Sequence, residues 1–267
     1  MTTLAVVGNL ALDVVDGAPP RPGGTVLYSA RALARLRADA CVGAACAERD
    51  RNLLVGPLDE LGLPVTWRES AATASYAFRY EGDRRLMRQE AVGDPWPATE
   101  AVAAIGDAEW IHVGALVRSD FPEATLAALG DGGRRLLMDA QGLVRTPDLG
   151  ELRTDAATGT ALRHIAILKL NDEEAETLVG RADPEAVRSL GVPEVVLTLG
   201  SRGSCIVTPT DTESVPAADV AGSVDPTGAG DTYSAAYLAA RSAGAEPVEA
   251  ARSATEIAAE FLSRPRN

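Results

Sequence analysis

The sequence predicts an α/β protein: a three-layer, mostly parallel sheet flanked by helices, with a small β-sheet lid. Three observations carry that expectation. Short apolar runs of strand length alternate with helix-like segments along most of the chain, the rhythm of a parallel sheet covered on both faces. One stretch, 65–92, breaks the rhythm with β-favouring and charged residues. A glycine-rich loop, Asp225-Pro226-Thr227-Gly228-Ala229-Gly230-Asp231, then runs directly into an apolar helical segment.

In order, residues 4–8 (LAVVG) form an apolar run closed by glycine, which suits a strand buried on both faces. Residues 13–24 are rich in Pro and Gly and predict turns and short strands. A helix over 28–38 follows, with Leu33, Leu36 and alanines at helical spacing and Arg31, Arg35 and Arg37 outside. Residues 40–46 read as a second buried strand, and 53–61 as a helix ended by Gly62 and Pro64. In 65–92, Thr73, Ser75, Tyr76, Phe78 and Tyr80 favour strands, Glu81-Gly82-Asp83 is a turn, and Arg84, Arg85, Met87 and Arg88 continue a charged strand. This predicts an antiparallel accessory sheet. After Asp94-Pro95-Trp96-Pro97, strands are expected at 110–114, 135–139, 165–170 and 195–199, and a strand pair near 204–208 and 212–215. Two helices, over 231–243 and 247–262, close the chain, and residues 1–267 read as one domain.

Composition removes several function classes. The chain has 267 residues, 46% of them hydrophobic and 24% charged, the profile of a folded globular protein. Its net charge of −13 would repel a polyanion, so no nucleic-acid partner is expected. No apolar run reaches membrane-spanning length, and the first residues lack the basic start and cleavage site of a secretory signal. Cys41, Cys46 and Cys205 fit neither a disulfide framework nor a zinc site, and His112 and His164 make no metal-ligand pair. A reduced, cytoplasmic enzyme is the simplest reading. Lys169 is the only lysine, so chemistry that needs an ammonium group has one candidate.

No G-x-x-x-x-G-K-[ST] is present, the first strand runs into Gly8-Asn9-Leu10-Ala11 and lacks the dinucleotide glycines, and there is no G-x-S-x-G. The loop at 225–231 is the feature that carries chemistry. Small residues at Gly228, Ala229 and Gly230 let backbone N–H groups point into a cavity, and the helix behind adds the positive end of its dipole. Asp231 sits where a carboxylate meets a hydroxyl approaching the same anion, the position of a general base. The same donors would neutralise charge on a phosphoryl group in transfer. A plain glycine turn with an aspartate cap is the structural alternative.

The DPTGAGD run resembles the C-terminal signature of the ribokinase-like (phosphofructokinase-B type) kinases, and further matches follow the family's order along the chain. Asp13 resembles the acid that binds substrate hydroxyls, and Gly23-Gly24 the di-glycine substrate loop. Asn171-Asp172-Glu173-Glu174 is similar to the N-x-x-E element, which implies Asn171 and Glu174 (through water) around magnesium; it also reads as a capping box. Thr198-Leu199-Gly200-Ser201-Arg202-Gly203 is similar to the T-L-G-x-x-G turn, which implies Thr198, Gly200, Gly203 and Thr227 around the nucleotide. The segments at about 11–27 and 65–92 fall where the family places its β-sheet lid, whose strands often pair across a two-fold axis into a homodimer. The resemblance thus implies a kinase using ATP and Mg2+, with Asp231 as base and Gly228, Ala229 and Gly230 as the anion nest.

The di-glycine loop continues Thr25-Val26-Leu27-Tyr28, with an aromatic residue where ribokinase itself has the asparagine that grips ribose, so D-ribose is not expected. Residues 24–34, 80–88 and 139–145 resemble instead the short subfamily that includes archaeal myo-inositol kinase. That likeness implies Asp13, Gly24, Gln141 and Arg145 around a cyclitol or sugar. Tyr28, Tyr76, Phe78 and Tyr80 could instead serve a nucleoside base. A kinase-fold protein that has lost catalysis is the alternative of another class.

Overall fold

The computed structural model describes residues 3–81, 84–220 and 226–263. The expected turn at Gly82-Asp83, Asp225 of the glycine-rich loop, and the side chains of Tyr80, Arg84 and Arg85 lie outside the described residues. In chain order the strands are β1 (Leu4–Asn9), β2 (Ala11–Val15), β3 (Arg21–Gly23), β4 (Ala40–Cys46), β5 (Val65–Glu69), β6 (Ala74–Glu81) and β7 (Arg84–Ala91). They continue with β8 (Trp110–Gly114), β9 (Arg135–Asp139), β10 (Gly150–Glu151), β11 (Ile167–Asn171), β12 (Glu194–Thr198), β13 (Ser204–Val207) and β14 (Thr212–Val215).

Nine strands form one sheet in the order β14-β13-β12-β11-β9-β8-β1-β4-β5. From β12 to β5 every pairing is parallel, and β13 and β14 add an antiparallel edge. The fully apolar runs are the reason: β1 is buried at all its positions, as a strand covered on both faces must be. Leu4 and Val6 pack into one core with the helices Thr25–Arg35, Ala229–Ser242 and Pro247–Leu262. Ala5 and Val7 pack into the other, with the helices Ala98–Ile105, Glu123–Leu129 and Asp172–Val179. Parallel order puts Asn9, Gly114, Asp139, Asn171 and Thr198 at one edge of the sheet, the edge where open α/β sheets hold ligands.

A second sheet has the order β10-β7-β6-β2-β3. It corrects the sequence reading in three respects. β5 is not part of it: Val65 to Glu69 pair in parallel with Val42 to Cys46 in the large sheet, where half-buried Val65 and Trp67 reach the apolar core. The second sheet is not purely antiparallel, because β2 runs parallel to β6. It also recruits the two-residue β10, paired with Arg88 and Gln89. The expected helix at 53–61 is two short ones, Arg51–Leu54 and Gly56–Asp59; Pro57 has no N–H to continue a helix and can only start one. The first long helix starts at Thr25, three residues before the expected point, because Val26 and Leu27 are needed in the core. Gly24 precedes it at φ 93°, and a Cβ there would stand 3.1 Å from the Ala11 nitrogen. Only glycine takes that backbone at that distance without strain.

Candidate active site

Between the two sheets lies a cleft of about 190 Å³. That is below the roughly 300–1,000 Å³ of sites that enclose drug-sized ligands, and it suits a single ring. Ten sequence-predicted residues line it: Asp13, Gly24, Gln141, Arg145, Asn171, Glu174, Thr227, Gly228, Gly230 and Asp231.

The helix Ala229–Ser242 begins at this cleft, with no side-chain cap at its first turn. Gly228 turns the chain into it at φ 82°, and a Cβ there would lie 2.4 Å from the Tyr28 ring. The Ala229 amide, expected in the anion nest, instead donates to the Pro226 carbonyl at 3.0 Å and closes the turn. The amides of Gly228, Gly230 and Asp231 have no backbone acceptor among the described residues, so of the three expected donors Ala229 alone is spent on the turn. Those amides combine with the positive helix end to favour an anion.

Asp231 faces the same cleft. Burial and then the negative Asp139 push its carboxyl above the ordinary range, against the pull of Lys169, a hydrogen bond from Thr25, and His112. Gln141 belongs to this arrangement. Its Nε2 donates to Thr25 Oγ1 at 2.9 Å and to the Ala115 carbonyl at 3.3 Å. With its oxygen engaged as acceptor, the Thr25 hydroxyl has its proton for the Asp231 carboxylate. Gln141, expected to touch the acceptor directly, has both amide protons committed to the protein.

Two residues that sequence reasoning did not select complete the floor. Lys169 Nζ lies 2.8 Å from Asp139 Oδ1, with both side chains nearly excluded from solvent. The same ammonium is 2.8 Å from where a Cβ on Gly230 would lie, so the only lysine sits against the anion nest. Burial opposes the charge on each partner, yet the pair prevails. Asp139 is held well below the carboxylate range by Lys169 and His112, and Lys169 is raised by Asp139, Glu174 and Asp231. The uniqueness of Lys169 was the one available signal; that Asp139 is its register partner on the neighbouring strand was not visible.

Asn171 and Glu174 make a complete capping box: Asn171 Oδ1 accepts from the Glu174 amide at 2.8 Å, and Glu174 Oε2 from the Asn171 amide at 2.9 Å. The structural and functional readings therefore hold together, because the box aims a helix start, with Glu174 on it, at the cleft. Burial raises the Glu174 carboxyl, against Lys169.

Toward the lid the lining changes. Ala11, Tyr76, Phe78, Met87 and Leu116 give an apolar wall, with Asp13 and Arg145 as its charged members. The Asp13 carboxylate lies against Gly23, where a Cβ would come within 2.3 Å of Oδ2. Burial pushes the Tyr76 hydroxyl up, and the Arg145 guanidinium beside it pulls the other way.

Thr198, Gly200 and Gly203 do not line this cleft. Thr198 is the register neighbour of Asn171 and donates to the Leu170 carbonyl at 3.2 Å. Gly203, at φ 92°, lets β14 approach: a Cβ there would come within 2.1 Å of the Val215 carbonyl. Arg202 between them pairs with Asp172 at 3.2 Å, so the turn lies beside the capping-box helix. Among the described residues no cluster of His, Cys, Asp and Glu forms a metal cage, and no helix is long and apolar enough to cross a membrane.

Comparisons with known proteins agree with this fold. A pyrophosphate-dependent kinase of the ribokinase family, solved with a pyrophosphate analogue and myo-inositol, superposes with a TM-score of 0.85 at 24% identity, over 100% of this chain and 96% of that one. The Burkholderia thailandensis nucleoside kinase, in complex with inosine, gives 0.77 at 20% identity, over 98% and 91%. Arabidopsis thaliana ribokinase, complexed with ribose and ATP, gives 0.74 at 21%, over 98% and 93%. These likenesses establish the ribokinase-type fold. The pfkB family carbohydrate kinase profile matches residues 21–266. The chain therefore belongs to the pfkB family of carbohydrate kinases, and is a phosphotransferase that acts on an alcohol group.

Proposed function

We propose that the protein transfers the terminal phosphoryl group of ATP to a hydroxyl of a cyclitol or a sugar-like small molecule. One observation carries the reading: Asp231, whose carboxyl burial raises, shares a single cleft with Gly230, whose amide has no backbone acceptor among the described residues, and with the Lys169 ammonium. The acceptor hydroxyl gives its proton to Asp231 while its oxygen attacks the terminal phosphorus. The bond to the bridging oxygen breaks, and ADP leaves with that electron pair. The amide of Gly230 and the Lys169 ammonium meet the charge of the moving group, and Asp13 orients the acceptor.

The charges of the cleft fit a donor that carries its own divalent cation. Four carboxylates, Asp13, Asp139, Glu174 and Asp231, face two cations, Arg145 and Lys169, so a bare polyphosphate would enter an acidic site. Magnesium is commonly held by one or two carboxylates plus substrate phosphates, and Glu174, through water, would meet it beside Asn171. Bound with the donor, it would neutralise phosphate charge.

A ring with C–H faces and several hydroxyls matches a wall of Tyr76, Phe78 and Met87 set beside Asp13 and Arg145. The relative solved with myo-inositol supports the cyclitol class. Two narrower alternatives have specific support. Tyr28, Tyr76 and Phe78 in the lining would also serve a nucleoside base. A lysine fixed against the nest, together with that relative's pyrophosphate dependence, favours pyrophosphate as a second donor.

The test is a matrix of donors, ATP–Mg2+ and pyrophosphate–Mg2+, against cyclitols, hexoses and nucleosides, followed by product release. The reading predicts the highest kcat/KM with ATP and a cyclitol or sugar. Nucleosides above all others would establish the first alternative, and exclusive use of pyrophosphate the second.

A further inference from the structure

His112 has no contact with the cleft, yet it joins the parts that do. It is fully buried at the centre of β8, in the middle of the large sheet, where its strand neighbours Ile111 and Val113 are apolar. A polar ring is costly there unless both nitrogens are engaged. Both are: Nε2 lies 2.7 Å from Asp139 Oδ2 and Nδ1 3.0 Å from Ser29 Oγ. Asp139, held ionised by its neighbours, only accepts, so the ring hydrogen on that side belongs to Nε2.

The chain of contacts closes on itself. Asp139 uses its other oxygen for Lys169 Nζ at 2.8 Å and the Ser234 hydroxyl at 2.9 Å. Beyond the other ring nitrogen, the Ser29 oxygen also lies 3.3 Å from the backbone carbonyl of Asp231, and its one proton serves one of these two contacts at a time. Lys169 returns to the same helix start, against Gly230. One imidazole thus spans the space between the carboxylate that holds the ammonium and the helix turn that carries the base. A lysine has four carbons of free rotation, so its ammonium is only as well placed as the Asp139 carboxylate. Without the Nε2 hydrogen bond, Asp139 Oδ2 loses its partner and the carboxylate gains freedom to turn.

We propose that His112 is a positioning residue for phosphoryl transfer: through Asp139 it fixes the Lys169 ammonium beneath Gly230, and with Ser29 it seats that ion pair against the residue bearing the base. The inference rests on the kinase reading of the cleft and concerns its donor side. A histidine that only fills the core would be replaceable by an apolar ring. A positioning histidine has a separable signature, because donor and acceptor contacts lie on opposite sides of the cleft.

The experiment compares His112→Phe and His112→Gln with the parent. Phe keeps the ring volume and removes both polar contacts; the Gln amide can still donate to Asp139. For His112→Phe the proposal predicts a donor KM raised or kcat lowered by roughly 10- to 100-fold, the scale of a misplaced catalytic group. The acceptor KM stays within about twofold and His112→Gln recovers most of the loss. Equal loss in both variants, or normal kinetics in His112→Phe with only a lower Tm, overturns it. If His112→Phe does not fold, or if no donor supports turnover, imidazole 15N spectra of the parent decide. The chain has two histidines, so His164→Gln assigns them. The proposal requires the hydrogen of His112 on Nε2 and a shift of its resonances on titration with pyrophosphate–Mg2+. A hydrogen on Nδ1 alone, or resonances unmoved by saturating pyrophosphate–Mg2+, refutes it. Absence of turnover with that signature intact would count against the kinase reading and leave the clamp standing.

Discussion

The floor and the lid of the cleft are built by different physics. The floor is a charge network: Asp139, Lys169, His112, Ser29 and Ser234 hold one another at 2.7–3.0 Å and lie almost wholly out of water. The lid side rests on a small apolar cluster, Ala11, Ala74, Tyr76, Phe78 and Leu116, and places just Asp13 and Arg145 as charges in the cleft. Buried ionic networks fix geometry and fail sharply when one member is removed. Apolar walls tolerate exchange of residues of similar size. Under the proposed function, the floor would carry the chemistry, common to any acceptor, and the lid the choice of acceptor.

Removing one floor member should give the largest effect. Asp139→Asn leaves Lys169 and His112 without their anion, and loss of one partner of a buried pair costs about 3–5 kcal/mol. The folded carboxyl is held below its unfolded value, so its stabilisation is present above the ordinary carboxylate range and fades only in strong acid. Urea melts at neutral pH should show the full deficit. A deficit below about 1 kcal/mol would mean that the floor is not the rigid region.

The lid gives the next effect, and it should be confined to the acceptor. Tyr76→Phe removes the hydroxyl that faces the Arg145 guanidinium, and a hydrogen bond to a charged group is worth about 1.5–3 kcal/mol. Acceptor kcat/KM should fall about tenfold or more while donor KM stays put. Equal changes in both constants would erase the division between floor and lid.

Gly230→Ala tests the floor where it meets the helix start. The new methyl would stand 2.8 Å from Lys169 Nζ, a flexible side-chain end that can yield, and alanine is the better helix residue. Stability should hold or rise by a few tenths of a kcal/mol, while donor KM rises several-fold. An unchanged donor KM would separate Lys169 from the donor.

The smallest effect is on stability and carries a sign. The Asp231 carboxyl is raised in the fold, so the folded chain keeps that proton to higher pH than the unfolded one. Its contribution is full below the ordinary carboxylate range and is lost as pH rises through the raised value. Asp231→Asn should therefore melt slightly higher than the parent at neutral pH, and the gap should close toward acid. A lower Tm at neutral pH would contradict the strained carboxylate.

What could be read in advance follows the same division. Parallel strands buried on both faces announce themselves as unbroken apolar runs, and 40–46, 110–114 and 135–139 are strands at those bounds. The glycine-rich loop and the Asn171–Glu174 spacing carry local backbone requirements and are legible for that reason. Register is not local. The pairing of Lys169 with Asp139 exists because β11 and β9 are neighbours in the sheet. The ring through His112 and Ser29 joins residues 83 positions apart. The same lack misplaced β5, whose half-exposed pattern matches a lid strand as well as an edge of the large sheet. Nor could the sequence show that Gln141, in the cleft lining, holds Thr25 with its amide nitrogen.

The most direct test of the whole account is steady-state turnover of Asp231→Asn beside the parent, with donor binding measured in both. Asparagine keeps the shape and removes the base, so kcat should fall by at least ~10²-fold with donor affinity preserved by the Gly230 amide and Lys169. Turnover within a few-fold of the parent would show that Asp231 takes no proton from the alcohol.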